Sequence, residues 1–313
     1  MFIKRLPVLF LLLSILQTNA TTIDTIHVHT VNGFIESIGS NRVLILSADT
    51  FHLRQADSLQ QVPLKAEGQA SNMKLAPNVT YAAGPGITLN RIRNLQIIGT
   101  KTNKNHTVLA TNDISDAILS FRNCDSITIT NIEALHLPVA PSGCSGNVLS
   151  FTRCENTIID DCDLKGSGAI AMHISGCTEM RVSNTLLGEC STCLLELGTS
   201  ADITFINCSF YNTLCLGGYA IMVMNCKDVW FDNCVFRGLT KDTSSWHYNV
   251  DRDCLLCFYP VKPNSLYPQD QSSGFKLTNC TIKNNDQHGL TNWPEAVITD
   301  NCNITFTPRS KTD

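Results

Sequence analysis

The sequence has few charged residues and no large excess of either sign. Charged side chains make up 16% of its 313 residues, and the formal net charge is −4 at pH 7. Domains that bind nucleic acid usually carry a strongly basic patch or stripe. We therefore expect no nucleic-acid partner, and any anionic ligand would have to meet a local cluster of basic side chains.

Long apolar runs are also scarce. Beyond residue 20 no segment is long and apolar enough for a membrane span, which takes about 20 residues. The apolar run at residues 8–16 is shorter, follows Lys4 and Arg5, and precedes the small-residue sequence Thr18-Asn19-Ala20. This order is typical of a cleavable secretory signal peptide. We expect cleavage after Ala20 and a mature protein that is secreted or periplasmic.

Apolar stripes of helix length are missing from the middle of the chain, where a short pattern recurs instead. Five segments combine strand-like alternation with a small residue at a fixed position: Cys124, Cys154, Cys177, Ser200 and Cys226. The steps between these positions are 30, 23, 23 and 26 residues. Seven residues after each comes an Asn or Asp: Asn131, Asp161, Asn184, Asn207 and Asn233. Such a period indicates stacked units, none of which can bury its apolar face alone.

Each copy consists of two short alternating segments separated by a polar turn. One set of apolar residues points to one side of the first segment: Leu119, Phe121, Leu149, Phe151, Met172, Ile174, Leu195, Leu197, Ile221 and Val223. This pattern predicts an all-β fold in which parallel strands coil into a β-solenoid. In coils about 4.8 Å apart, stacked Asn side chains can hydrogen-bond to one another and small Cys side chains can fill tight corners.

The number of cysteines, 15, is odd, and most of them occupy these repeating positions. An exported protein with many cysteines usually forms disulfides. The repeating placement favours a stack of buried thiols with at most a few bridges.

The flanking segments suggest how the solenoid begins and ends. Residues 31–38 have the pattern of a short amphipathic helix between two strand-like segments, which would cap the first coil. We divide the chain into a signal peptide (1–20), a cap with the first strands (21–60), a solenoid (61–306) with an insertion (241–273), and a polar tail (307–313). Asn279 follows Asn233 by twice 23 residues, so the insertion belongs to a decorated or a degenerate coil.

The segment from Ala169 to Leu187 resembles the right-handed parallel β-helix of the pectate-lyase-like superfamily, and the resemblance extends from about Ile87 to Phe306. It implies a single-stranded right-handed parallel β-helix with a short N-terminal cap helix. Members include polysaccharide lyases, glycoside hydrolases, esterases, phage tailspikes and adhesins, so the resemblance does not select one activity. The Asp motifs expected of polygalacturonase-like hydrolases and an intact pectate-lyase Ca²⁺ signature are absent from the sequence.

Two outward-facing columns of residues carry reactive side chains. In the first, Ser150, His173 and Glu196 lie on three successive copies, four residues before the fixed position. This order suits a nucleophile, a base and an orienting carboxylate, and predicts a hydrolase or esterase. The alternative is a column of ordinary polar side chains that face water.

The second column lies in the segment that follows the repeated Asn or Asp position of each copy. Lys165, Tyr211 and Arg237 each lie eleven residues past the fixed position, and Glu189 belongs to the same column. The strand at this place resembles the substrate-binding strand of β-helix lyases, which implies proton abstraction next to a uronate carboxyl. We expect Lys165 or Arg237 to act as the base or to neutralise the carboxylate, with Tyr211 assisting.

Other side chains suit a metal ion or a sugar ring. Carboxylate oxygens of Asp163 and Glu133 could bind Ca²⁺ as a cofactor. Aromatic rings beside polar groups suit sugar stacking, although an exposed aromatic side chain is also common without a ligand. The candidate substrate-binding residues are Trp230, Arg181, Trp246 and Tyr248.

The preferred hypothesis is a secreted carbohydrate-active protein that binds or cleaves a polysaccharide, with β-elimination on a uronate polymer as the preferred reaction. A non-catalytic adhesin or surface-binding module is the alternative. Hydrolysis or ester cleavage by the Ser150 column is the second alternative.

Overall fold

The computed structural model describes residues 23–53, 79–81, 86–102, 106–112, 115, 117–137, 145–166, 169–245, 247–259 and 270–307. The predicted signal peptide at 1–20, the cap boundary at residues 60 and 61, and the tail from residue 308 onwards lie outside this range. Within it, no helix is long and apolar enough to span a membrane. Most of the regular secondary structure in the described part of the chain consists of short strands.

Among the described residues, α1 (Val31–Ser37) is an α-helix, and short 3-10 helices lie at Val250–Arg252 and Pro294–Ala296. The strands are, in chain order, β1 (Asp24–Val28), β2 (Arg42–Leu46), β3 (Thr50–His52), β4 (Val79–Tyr81), β5 (Ile87–Asn90), β6 (Arg93–Gly99), β7 (Thr107–Thr111), β8 (Leu119–Arg122), β9 (Asp125–Thr130), β10 (Ile132–His136), β11 (Leu149–Thr152), β12 (Glu155–Asp160), β13 (Asp163–Lys165), β14 (Ile170–Ser175), β15 (Thr178–Ser183), β16 (Leu186–Gly188), β17 (Cys193–Gly198), β18 (Ala201–Ile206), β19 (Ser209–Tyr211), β20 (Leu214–Cys215), β21 (Ile221–Met224), β22 (Lys227–Asp232), β23 (Val235–Arg237), β24 (Thr240–Lys241), β25 (Leu256–Phe258), β26 (Phe275–Thr278), β27 (Thr281–Asn285), β28 (Val297–Asp300) and β29 (Asn303–Phe306).

Three sheets run along the molecule, and the chain visits them in turn. Sheet A has the order β1-β2-β6-β9-β12-β15-β18-β22-β26-β28, sheet B β3-β7-β10-β13-β16-β19-β23-β27-β29, and sheet C β4-β5-β8-β11-β14-β17-β21-β25. Neighbouring strands are parallel, except for the antiparallel pair β4 and β5. A further parallel pair, β20 and β24, lies outside these sheets. The predicted solenoid of parallel strands is confirmed.

Each coil has three strands, whereas the sequence pattern predicted two alternating segments per copy. The additional strands form sheet B, and several of them have only three residues, such as β13, β16 and β19. Each of these three strands turns a single apolar residue inward: Leu164, Leu187 or Phe210. One inward residue per strand gives no alternation from which a strand could be recognised.

The inward-facing residues form one continuous core. The apolar residues predicted to share one side of the first segment are all buried. Aromatic rings stack between coils, with centroids 4.8 Å apart for Phe205 and Phe231 and 4.5 Å apart for Phe210 and Phe236. Stacking of like residues therefore continues through the core as well as along the backbone.

The corners between sheets depend on residues in the left-handed backbone region. The corner from sheet A to sheet B has φ between 49° and 57° at each predicted ladder position: Asn131, Asp161, Asn184, Asn207 and Asn233. Asn and Asp tolerate this conformation better than most residues. Their side chains also link coils, since Asn207 Nδ2 donates to Asn184 Oδ1 at 3.2 Å and Asn233 Nδ2 donates to Asn207 Oδ1 at 2.8 Å.

The corner from sheet C to sheet A contains the Cys column. Here the backbone amide of Cys154 donates to Cys177 Sγ at 3.3 Å, and that of Cys177 donates to Ser200 Oγ at 3.0 Å. Ser272 has the same role in a later coil, where its Oγ accepts a hydrogen bond from the backbone amide of Cys226 at 2.9 Å. Ser can replace Cys because each provides a small acceptor. Every cysteine in the described residues is a free thiol, and all but Cys302 are buried.

The first coil is covered by α1, as predicted. The Thr30 side chain caps this helix by accepting from the amide of Gly33 at 3.0 Å. On the inner side of the helix Phe34 and Ile35 are buried, and the Phe34 ring lies edge-on to Phe51 at 6.3 Å. The helix thus shields the apolar end of the stack from water.

The insertion at 241–273 belongs to one lengthened coil and does not replace a coil. Strand β22 pairs directly with β26, and β23 pairs directly with β27. Between them the chain forms β24, a 3-10 helix and β25, which extends sheet C beyond β21. The coil that contains the insertion is thus longer than its neighbours and carries additional strands.

Substitutions at Asn207 can separate the stability contributed by the corner backbone conformation from that contributed by the hydrogen bonds between stacked Asn side chains. Asn207→Ala removes the ladder amide and places an unfavourable residue at φ 55°, whereas Asn207→Gly removes only the amide. We expect the alanine variant to be less stable than the glycine variant by about 1 kcal/mol, since only Gly adopts this region without steric penalty. Urea denaturation followed by circular dichroism measures the difference, and equal midpoints for the two variants would contradict the assignment.

Candidate functional site

The residues predicted to be functional lie on the outer faces of three different sheets. Lys165, Tyr211 and Arg237 lie on sheet B, whereas His173 lies on sheet C and Trp230 on sheet A. The structure therefore provides separate clefts, each with its own chemistry. None of them combines all the predicted residues.

The cleft on sheet B is built around Lys165. Its ammonium group lies 2.8 Å from Glu133 Oε1 and 2.8 Å from Asp163 Oδ2. The other Glu133 oxygen, Oε2, is hydrogen-bonded to His106 Nε2. Lys101 pairs with Asp161 at 3.0 Å on the rim of the same cleft, which has a volume of about 250 Å³. His106 and Lys101 precede the repeated part of the sequence, so the repeat pattern did not indicate them.

Glu133 and Lys165 stabilise each other in their charged forms. Burial opposes ionisation of Glu133, but hydrogen bonds from Lys165 and His106 lower its pKa below the ordinary value. Burial also opposes the charge of Lys165, yet its hydrogen bonds to Asp163 and Glu133 raise the pKa of the ammonium group. A lysine with a raised pKa is a poor base at neutral pH. This environment favours the electrostatic role predicted for Lys165 over the role of base.

Tyr211 reaches this cluster across an intervening coil. Its hydroxyl donates to Asp163 Oδ1 at 3.3 Å, and its ring passes over Gly188. A Cβ on Gly188 would lie 2.7 Å from the ring, so this coil must present a glycine. Burial, followed by the nearby Asp163 carboxylate, raises the pKa of Tyr211, which keeps the phenol protonated.

The other two predicted members of this column, Arg237 and Glu189, lie in different parts of their coils. Arg237 is exposed and pairs in register with Tyr211 on one side and Lys283 on the other. Glu189 forms the corner after β16, with φ 57°, so its backbone conformation is set by the turn. Both residues flank Tyr211.

The Ca²⁺ site suggested for Asp163 and Glu133 stays a prediction. The two carboxylates are register partners, but the Lys165 ammonium group bridges them. In the part of the chain that the structure describes, no group of three or more His, Cys, Asp or Glu side chains could hold a metal ion. Binding Ca²⁺ between these carboxylates would require Lys165 to move away.

On sheet C, the predicted column brings His173 and Glu196 together. His173 Nδ1 lies 2.9 Å from Glu196 Oε2, and both side chains are 28% exposed. Ser150 is the register partner of His173 on the other side. No hydrogen bond joins these two described residues, so the structure shows a His-Glu pair beside a serine. A base oriented by a carboxylate needs a half-exposed position of this kind to reach a substrate.

The same face of sheet C carries a cationic cleft, which we call the arginine cleft. It is lined by Thr88, Asn90, Arg122, Asn123, Thr152 and Arg153, and its volume is about 440 Å³. Thr152 follows Ser150 by two residues in β11, roughly 7 Å along the strand, and His173 is the register partner of Ser150 in the next coil. The two exposed guanidinium groups were missed by the sequence analysis because neither occupies a column of reactive residues.

The predicted substrate-binding residues are dispersed. Trp230 and Arg181 share a column on sheet A but are two coils apart, about 10 Å. Trp246 lies outside the described residues. Tyr248 is in the insertion, where its hydroxyl donates to Asp253 Oδ2 at 2.8 Å. Burial and this hydrogen bond raise the pKa of Tyr248 to about 12.

Asp253 anchors the insertion to the last coils. Its Oδ2 atom also accepts from Lys241 Nζ at 2.5 Å and lies 2.6 Å from His288 Nδ1. The Asp253 and Lys241 side chains are almost completely buried, whereas His288 is largely exposed. Tyr248 therefore belongs to a network that fixes the insertion.

A model of the family described as "Right handed beta helix region" matches residues 116–308. The chain belongs to this family. The match includes most of the coils and gives the helix its right-handed sense. The predicted right-handed parallel β-helix is thus confirmed.

Solved structures show the same fold at low sequence identity. A mutant pectate lyase of Bacillus subtilis is 13% identical, with a TM-score of 0.54 over 93% of this chain and 83% of that chain. An alginate lyase from Paenibacillus sp. str. FPU-7 is 11% identical, with a TM-score of 0.52 over 91% and 98%. A mutant pectin methylesterase in complex with a hexasaccharide is 13% identical, with a TM-score of 0.53 over 90% and 86%. No curated protein matches the sequence.

The charge balance around Lys165 predicts a pH-dependent loss of stability in Lys165→Met. The variant leaves the partly buried Glu133 and Asp163 without their shared cation, and we expect a loss of about 1–3 kcal/mol at pH 7. The pKa of Glu133 is lower in the folded state than in the unfolded state. Its ionised carboxylate therefore stabilises the folded protein at pH values above the unfolded-state pKa, and this contribution disappears as the pH falls through the folded-state pKa. Urea midpoints for the two proteins should therefore converge as the pH falls below about 4. A difference that stays constant from pH 7 to pH 3 would contradict this account.

Proposed function

We propose that the protein binds an acidic polysaccharide across the outer face of sheet C and cleaves it there. The observation that carries the proposal is a His173-Glu196 pair beside a cleft with two exposed arginines, on one face of one sheet. The parallel coils make this face long and flat, which suits an extended polymer.

The charges of the arginine cleft favour an anionic ligand. Arg122 and Arg153 supply two permanent positive charges, and Asn90, Asn123 and Thr152 add neutral polar groups. Guanidinium groups form paired hydrogen bonds with carboxylates. The structural neighbours named as pectate lyase and alginate lyase support the same class of ligand, since pectate and alginate are uronate polymers.

The His173-Glu196 pair provides a base for β-elimination. When His173 Nδ1 carries the ring proton and donates a hydrogen bond to Glu196, Nε2 is unprotonated and can accept the substrate proton. In this reaction the base removes the proton next to a uronate carboxyl, a carbon-carbon double bond forms, and the neighbouring glycosidic C–O bond breaks. The leaving oxygen takes a proton, and the product is an unsaturated sugar that absorbs ultraviolet light. Glu196 acts through His173 and is a positioning residue.

Substitutions in the pair and in the cleft should separate catalysis from binding. We expect His173→Ala to reduce kcat at least about 100-fold and to leave polymer binding unchanged. Arg153→Ala should weaken binding of polygalacturonate or alginate roughly tenfold, because one charged hydrogen-bonding group is lost. Ultraviolet absorbance of the product measures turnover, and affinity electrophoresis measures binding.

Two controls make this experiment decisive. Glu196→Gln should lower kcat and leave KM unchanged, as expected for a residue that only orients the base. Lys227→Ala removes an exposed positive charge from sheet A and should change neither quantity. Binding without any unsaturated product would replace the lyase with the non-catalytic surface-binding module. New ester hydrolysis that disappears in Ser150→Ala would support the esterase alternative.

A second candidate for the same reaction is the cleft on sheet B. The specific observation in its favour is the group of titratable residues with opposed pKa shifts, Glu133, Lys165 and Tyr211, since such groups cluster at active sites. In this alternative Lys165 neutralises the substrate carboxylate, Tyr211 assists, and Arg237 is the base or a second neutralising group. Glu189 and a Ca²⁺ ion at Asp163 and Glu133 remain part of the proposal.

Arg237 tests the second candidate without disturbing the ion network. Arg237 is exposed, so Arg237→Ala should fold normally, and it should reduce product formation at least about tenfold if the reaction occurs on sheet B. Lys283→Ala, the register partner one coil further on, is the matched control and should retain turnover. Full activity in Arg237→Ala would remove this candidate.

A further inference from the structure

We propose a second glycan site, on the outer face of sheet A, that binds a neutral sugar against Trp230. The site is a cleft of about 340 Å³ lined by Asp202, Thr204, Asp228, Trp230, Gly274 and Lys276, which we call the tryptophan cleft. It lies on a different sheet from both proposed reaction sites. The proposal therefore does not depend on which of them is correct.

The Trp230 ring is both exposed and fixed in orientation. The residue is 38% exposed, which is high for such a large apolar group. The indole Nε1–H donates to Thr278 Oγ1 at 2.5 Å, and the Thr278 hydroxyl donates in turn to Asp232 Oδ1 at 3.0 Å. Asn279 Nδ2 donates to the same Asp232 oxygen at 3.0 Å. This chain of hydrogen bonds holds the ring before any ligand arrives, which reduces the entropy lost on binding.

Two carboxylates border the ring. Asp202 and Asp228 occupy equivalent corner positions in successive coils, with φ 55° and 53°, so the turn determines where each is placed. The next coil has Gly274 at this position, with φ 71°. A Cβ on Gly274 would lie 2.3 Å from Asp228 Oδ1, so the glycine makes room for this carboxylate at the edge of the cleft.

These groups suit a neutral sugar better than a uronate. An indole ring can pack against the apolar face of a pyranose, and carboxylates accept strong hydrogen bonds from its hydroxyl groups. Asp202 and Asp228 would repel a ligand carboxylate, and Lys276, which lies 5.9 Å from the Trp230 ring centre, offsets only one of the two charges. The arginine cleft has the opposite charge. The structure thus assigns different sugar classes to the two faces.

A site of this kind would hold the protein on a mixed polysaccharide while the other face meets the acidic polymer. The two clefts lie on neighbouring sheets of one rigid coil, so one molecule can engage two chains. Binding at both faces would raise the apparent affinity for a composite surface without any change in either site.

Calorimetric titration with neutral hexasaccharides tests the proposal. The probes are β-1,4-linked hexamers of glucose, xylose, mannose and galactose, each added to the full mature protein. We expect at least one to bind, Trp230→Ala to weaken it roughly tenfold or more, and Asp228→Asn to weaken it less. Ile158→Ala is the matched control, because Ile158 is an exposed apolar residue in the same outward column and should not affect binding.

The outcome can be distinguished from that of the proposed function. Arg153→Ala should leave neutral-sugar binding unchanged, and Trp230→Ala should leave polygalacturonate binding and turnover unchanged. The proposal is overturned if none of the four hexamers binds, or if binding survives in Trp230→Ala. Stronger binding of a uronate hexamer at Trp230 than of every neutral one would overturn the assignment of ligand class.

Discussion

The structure depends on the parallel stacking of coils, in which each backbone segment hydrogen-bonds to the equivalent segment of the next coil. This arrangement requires the chain to turn at the same place in every coil, and the turns use residues with positive φ. Once the corners are aligned, equivalent side chains lie about 4.8 Å from their neighbours. The ladders of Asn, Cys and Phe all follow from this spacing. A residue that cannot adopt the corner conformation would disturb the contacts of two neighbouring coils as well as its own turn.

The same stacking determines how chemistry is placed on the surface. Outward residues of equivalent position form columns, so a pair such as His173 and Glu196 needs only the right residue in two successive coils. Interactions can also cross a coil, as when Tyr211 passes over Gly188 to reach Asp163. A rigid sheet places such side chains with little freedom, which favours preorganised sites. It also keeps three faces separate, each with a different charge.

Charge, more than fold, distinguishes the three faces. On sheet B, carboxylates and lysines neutralise one another, whereas the arginine cleft on sheet C has an excess of positive charge. On sheet A, an aromatic ring lies beside two carboxylates. The family to which the chain belongs fixes the coil but not these surfaces. Similar backbones among the solved neighbours therefore carry names as different as lyase and methylesterase.

The sequence by itself determined the coil, its core residues and its Asn and Cys ladders, because each follows from periodicity along the chain. It also placed His173 beside Glu196, since a regular repeat converts sequence spacing into contact.

Tertiary structure decided the features that break the repeat. The short strands of sheet B have one inward residue each, His106 and Lys101 precede the repeated copies, and Arg122 and Arg153 converge only when two coils stack. Likewise, Lys165 pairs with carboxylates from its own coil and the coil before it. Its pKa and its role depend on these contacts, which residue spacing does not specify.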